Sequence, residues 1–140
     1  MRALAVIIFL VISTGAFAQQ DTTRVFVVVD QSAEFPGGID NFYSYLNKNM
    51  RFDKETKKQR KAGKIFAEFV IKEDGWVDKT SVRIVPPVAG SSDPTQQGAD
   101  MPDDVDQEVI RVIRESPKWI PGKRMNKAVH QRFVLPVKLK

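Results

Sequence analysis

Few residues in this chain have the type and spacing that chemistry demands. Cysteine is absent and His130 is the single histidine, so no nucleophile stands beside an evident base, and neither a G-x-S-x-G elbow nor a phosphate loop occurs. A lone imidazole on an alternating segment lacks the partners that catalysis or metal binding requires. It reads as a surface residue. Asp100, Asp103, Asp104 and Asp106 could be taken for calcium ligands, but the glycine and terminal glutamate of a calcium loop are missing. Helix capping and solvation account for them better. Gly37-Gly38 ahead of a helical pattern could receive an anion at the helix N-terminus, yet Glu34 nearby opposes it. The expectation is a chain with no catalytic residue, no metal and no cofactor.

Charge is distributed rather than balanced. The chain of 140 residues carries a net charge of +5. Lys48, Arg51, Lys54, Lys57, Lys58, Arg60, Lys61 and Lys64 crowd one segment, and Asp93, Asp100, Asp103, Asp104, Asp106 and Glu108 another. The basic run lacks the interleaved aromatic residues that stack on bases. It reads as a solvated surface loop with no nucleic-acid partner, and contact with an anionic envelope surface or acidic partner is the other reading.

The first residues, "MRALAVIIFLVISTGAFAQQ", place one positive charge before the apolar run Ala3 to Ile12 and end in an A-x-A pattern at Ala16-Phe17-Ala18. That is the form of a signal peptide, residues 1–18, cleaved before Gln19. A retained membrane anchor is the competing reading, but a spanning helix needs about 20 apolar residues. Membrane contact is expected only if the signal is retained.

These features must be carried by elements legible from periodicity. After a polar leader, residues 19–24, Val25 to Val29 is a β-branched run that reads as a strand. Pro36, Gly37 and Gly38 form a turn, and Ile39, Phe42, Tyr43, Leu46 and Met50 fall on one helical stripe. "KIFAEFVIK", Lys64 to Lys72, reads as a buried strand, and Asp74-Gly75 as a tight hairpin turn returning Trp76 to Val85 antiparallel. Residues 86–103 have the composition of a long mobile loop. A second helix runs from about Asp104 to Glu115 with Val105, Val109, Val112 and Ile113 inward, capped by Asp103 or Asp104 and ended by Pro117. Trp119, Pro121 and Gly122 make a second turn, with Trp119 and Phe35 as core anchors. A terminal strand follows from Val129. The order β-α-β-β-α-β predicts an α+β domain over residues 25–140, two helices on a small antiparallel sheet.

"EFPGG" before an amphipathic helix, "GKIFAEFVIKEDGWV", "VIRVIRESPKWIPGK" and "VHQRFVLPVKL" stand in one order at compatible spacing. Together they resemble the C-terminal domain of TonB-type energy transducers, here as a nearly stand-alone domain. The resemblance implies a periplasmic domain that binds a segment of a TonB-dependent outer-membrane receptor, or another envelope protein, by β-strand addition. The leader, at about 3.5 Å per residue, is far shorter than the family's periplasmic spacer. Arg51-Phe52-Asp53 also stands where the family commonly has an aromatic residue followed by proline.

Strand addition needs an unpaired edge. The terminal strand is the candidate because proline lacks a ladder donor and is confined to edges, strand ends or bulges, which suits Pro136. Val129, His130, Gln131, Arg132, Phe133, Val134 and Leu135 are the candidate partner-binding residues. The alternatives are that this strand is internal or that Pro136 marks a bulge near its end. Two other roles stay open: a membrane-anchored transducer, and a structural envelope protein that self-associates as a homodimer or leans on the cell wall. Intact-mass measurement on the native protein is expected to find a chain that begins at Gln19; a mass that includes Met1 would favour the anchored form.

Overall fold

The computed structural model describes residues 24–59, 63–92 and 101–139. The order is β1 (Val25–Phe26), α1 (Ile39–Asn49), α2 (Lys54–Gln59), β2 (Gly63–Ile71), β3 (Arg83–Val85), α3 (Asp103–Arg114), β4 (Lys123–Arg124), β5 (Lys127–Ala128) and β6 (His130–Leu139). The class is α+β. The main sheet runs β1-β6-β2-β3 and β4 pairs with β5 separately.

The sheet is mixed rather than antiparallel, because β1 lies parallel to β6 with Val25 opposite His130 and Phe26 opposite Gln131. Its spine is the antiparallel β2–β6 ladder, in register from Gly63–Leu139 to Ile71–Gln131. Ile65, Ala67, Phe69 and Ile71 of β2 and Val137 and Leu139 of β6 are buried in the main core. That face receives Phe42 and Leu46 of α1 and Val105, Val109, Val112 and Ile113 of α3. The Tyr45 hydroxyl ties the helices together by donating to the Val112 carbonyl, 3.0 Å away.

Several elements differ from the sequence reading for identifiable reasons. The first strand stops at Phe26 and the chain bends at Val27 and Val28, which are exposed. Ile39 also lies outside the buried stripe. Asp53 begins a helix within the basic run: its carboxylate accepts the Thr56 N–H at 2.7 Å, a cap that holds its pKa below the usual range. Neither Asp103 nor Asp104 caps α3. Pro102 is the N-cap, and its carbonyl accepts the Val105 N–H. The Asp74-Gly75 hairpin has three loop residues, Glu73 to Gly75. The Gly75 N–H closes a turn onto the Lys72 carbonyl, only Gly75 takes positive φ, and Asp74 accepts the Trp76 N–H. Past Val77 the return strand breaks off until β3, because the Asp78 N–H and the Ser81 hydroxyl occupy the backbone groups of Val70. The 86–103 stretch lies partly outside the described residues, but Met101 near its end is buried in the core.

Two proline and glycine turns carry the architecture. In Phe35-Pro36-Gly37-Gly38 the Gly38 N–H bonds to the Phe35 carbonyl at 2.7 Å with Gly37 at φ 81°, the type II arrangement that wants proline second and glycine third. The turn starts α1 and buries Phe35. Trp119, 3% exposed, comes from the other turn and meets the rings of Phe35, Phe42, Phe69 and Phe133 at centroid distances of 5.3, 5.0, 5.8 and 5.8 Å. Its indole N–H donates to the buried Ser116 hydroxyl. Such a cluster joins α1, β2 and β6 through one side chain.

Gly75 locks the hairpin onto this centre. Its carbonyl accepts the Trp119 N–H at 2.8 Å, and a β-carbon there would sit 2.2 Å from the Trp119 carbonyl oxygen, with φ at +87°. Gly90 has a similar φ but open space around it. Urea denaturation is expected to show Gly75→Ala losing about 2–4 kcal/mol and Gly90→Ala about 1 kcal/mol, the difference arising from the backbone clash.

Candidate functional site

The candidate site is the outer edge of β6, and its extent follows from which peptide groups point where. Peptide groups alternate sides along an antiparallel ladder. The N–H and C=O of Val70 are turned toward the β3 side, where the Ser81 hydroxyl and the Asp78 N–H take them. By alternation Phe66 and Glu68 also point to β3, and Ile65, Ala67, Phe69 and Ile71 point to β6. Their partners Val137, Leu135, Phe133 and Gln131 therefore spend their ladder groups on β2. The peptide groups of His130, Arg132, Val134, Pro136 and Lys138 turn outward.

β1 covers only the start of that edge. It pairs at His130 and Gln131, so the first part of the expected edge is interior to the sheet. Val129 precedes β6 and donates to the Gly122 carbonyl. Beyond Arg132, no described strand pairs with the outer side of β6. The open edge is thus shifted toward the C-terminal end from the stretch expected, and it offers the C=O of Arg132 and the N–H and C=O of Val134 and Lys138, the Arg132 N–H being turned to the Phe26 carbonyl in the parallel pairing with β1. Pro136 falls on an outward position, where its missing N–H costs the β2 ladder nothing. No bulge is needed: the β2–β6 register runs unbroken through Phe66–Pro136.

Gln131 has a different task from the one its sequence position indicates. It is 5% exposed, its Oε1 accepts the Ala33 N–H at 2.7 Å, and its Nε2 donates to the Ser32 hydroxyl. Gly122 lies against this amide, where a β-carbon would come within 2.5 Å of Oε1. Gly122 is therefore a matter of space. On either side, Glu34 exchanges two backbone hydrogen bonds with Ile120, and Gln31 does so with Lys123. The segment holding Phe35 and the turn holding Pro121 are joined through this junction.

The side chains along the open edge divide by face. Phe133 and Leu135 pack against the core. On the opposite face Arg132 is exposed, and Val134 is half-buried beside Glu68, whose carboxylate receives a bidentate Arg83 at 3.0 Å with the Arg132 guanidinium 4.0 Å away. His130 is half-buried at the start of the strand.

Sequence reasoning missed two neighbouring features. Met125 and Asn126, with φ of 49° and 62°, form a two-residue hairpin between β4 and β5; the Met125 N–H is held by Asp30. Asn126 was the one local signal for it. The other feature is an ion pair network at the C-terminal end of α1. Glu108 receives Arg111 and the Arg51 N–H, and Arg111 also reaches the Asn49 carbonyl. These contacts hold the Glu108 carboxyl below its ordinary pKa. Among the described residues no group of three or more potential metal ligands stands together, and no helix is long and apolar enough to cross a membrane.

Comparison of the chain with protein-family models, curated proteins and solved structures finds no match.

The alternation makes neighbouring prolines unequal. Val134→Pro removes an outward N–H and is expected to cost about 1–2 kcal/mol, whereas Phe133→Pro breaks the β2 ladder and empties a core position, costing about 4 kcal/mol or more. Chemical denaturation of the two variants checks this. Equal losses would mean that the peptide groups alternate otherwise.

Proposed function

We propose that this chain is an exported, periplasmic protein-binding module of the TonB C-terminal type, which takes an extended segment of an outer-membrane receptor or another envelope protein as an added strand on β6. The observation that carries this reading is the outer edge of β6 beyond Arg132, unpaired among the described residues, with Pro136 on an outward position. Main-chain pairing with the Arg132 carbonyl and with Val134 and Lys138 supplies affinity, and side chains alternating across the edge supply selectivity. In support, the residues through which the resemblance is drawn act together: Phe35, Pro36 and Gly37 build one turn, Trp119, Pro121 and Gly122 the other, and the two are paired by backbone hydrogen bonds.

The same edge can pair with a second copy of the chain, so self-association is the competing use. Titration of the isotope-labelled chain with peptides from the N-terminal segments of outer-membrane receptors separates the two. The amide signals of Val134 and Lys138 are expected to shift while those of Phe133 and Leu135, already bonded to β2, shift less. Sedimentation that stays monomeric as concentration rises accompanies that result. No shift at these amides with any peptide, together with concentration-dependent dimers, would overturn the receptor reading in favour of self-pairing.

A further inference from the structure

The open edge of β6 ends at a cleft of about 510 Å³. Lys138 and Leu139 both line it although consecutive side chains on a strand project to opposite faces. Among the described residues none of β2 lines it, so it stands at the C-terminal end of β6, the end toward which the unpaired edge runs. Its other walls come from Asn47 near the end of α1, from Met50, Arg51 and Phe52 between the helices, and from Lys57 of α2.

The chemistry of these walls is one-sided. Arg51, Lys57 and Lys138 contribute three cationic side chains, and among the described residues no carboxylate lines the cleft. Asp53, the nearest acid in sequence, is engaged in capping α2, and Glu108 is bonded to Arg111. Met50, Phe52 and Leu139 add apolar surface, against which charge-assisted contacts gain over the same contacts in water. An anion with an aliphatic stem suits both halves of the lining better than a small inorganic ion.

Resting on strand addition at β6, we infer that this cleft is a carboxylate pocket that reads an acidic side chain at one end of the partner's extended segment. The edge binds any backbone, and the cleft selects a segment whose glutamate or aspartate arrives beside Lys57 and Lys138. This fixes how far along β6 the segment slides, since pairing by main-chain bonds alone leaves register weakly specified.

Fluorescence anisotropy with short, end-blocked peptides of alternating valine and threonine tests the assignment. One peptide carries two glutamates at its N-terminal end, another carries them at its C-terminal end, and a third has glutamines in both places. One acidic peptide is expected to bind about tenfold more tightly than the glutamine peptide, a gain typical of two charge-assisted contacts. The double variant Lys57→Gln, Lys138→Gln is expected to erase that preference, so that the acidic and glutamine peptides bind the variant alike. Both lysines are exposed, so the variant keeps the fold. Equal binding of all three peptides, weakened alike by Val134→Pro, would overturn the pocket while strand addition stood. A preference for glutamate that survives the double variant would overturn it too. Absence of binding by every peptide would remove strand addition and the pocket together.

Discussion

The pairing of Glu34 with Ile120 is the constraint on which the remaining structure depends. Two backbone hydrogen bonds, 2.9 and 2.8 Å, clamp the segment before α1 to the turn after α3. Between this exchange and the Gln31–Lys123 pair, the Ala33 N–H finds the buried Gln131 amide. Because residues 31–34 are committed to residues 120–123, the chain that made β1 cannot continue along β6. It leaves the sheet after Phe26. Among the described residues the edge beyond Arg132 is open because its natural neighbour is occupied elsewhere.

The same clamp organises the core. It brings Phe35 and Trp119 into edge contact at 5.3 Å and directs the indole between α1 and the β2–β6 ladder. Buried aromatic surface then stabilises what the backbone bonds position. Gly75 and Gly122 serve this arrangement by allowing backbone and amide groups to come closer than a β-carbon permits. For the strand addition proposed above, such a rigid support is an advantage, since an edge that could bend away would bind with a larger loss of conformational freedom.

An exposed edge invites uncontrolled pairing. Here it is short, it carries Arg132 and Lys138, and Pro136 withdraws one donor from it. The cleft at its far end adds positive charge. These features disfavour pairing with an arbitrary strand, which the proposed strand addition requires.

The amino-acid sequence by itself determined the α+β class, the β2 strand, the inward stripes of α1 and α3, and the anchoring roles of Phe35 and Trp119. Each follows from local periodicity or from residues with few permitted conformations, such as Pro36 and Gly37. Only the tertiary structure decided how long β1 would be, which part of β6 stays unpaired, and that Gln131 serves the interior. The "VFVVV" run has strand propensity throughout, but strand length depends on a partner, and Gln31 and Glu34 pair with residues about ninety positions away. The cleft was equally hidden, because Arg51, Lys57 and Lys138 belong to separate segments that meet only when α1 and α2 fold beside the end of β6. Propensity and pattern act over a few residues, and an edge is defined by what lies beside it in space.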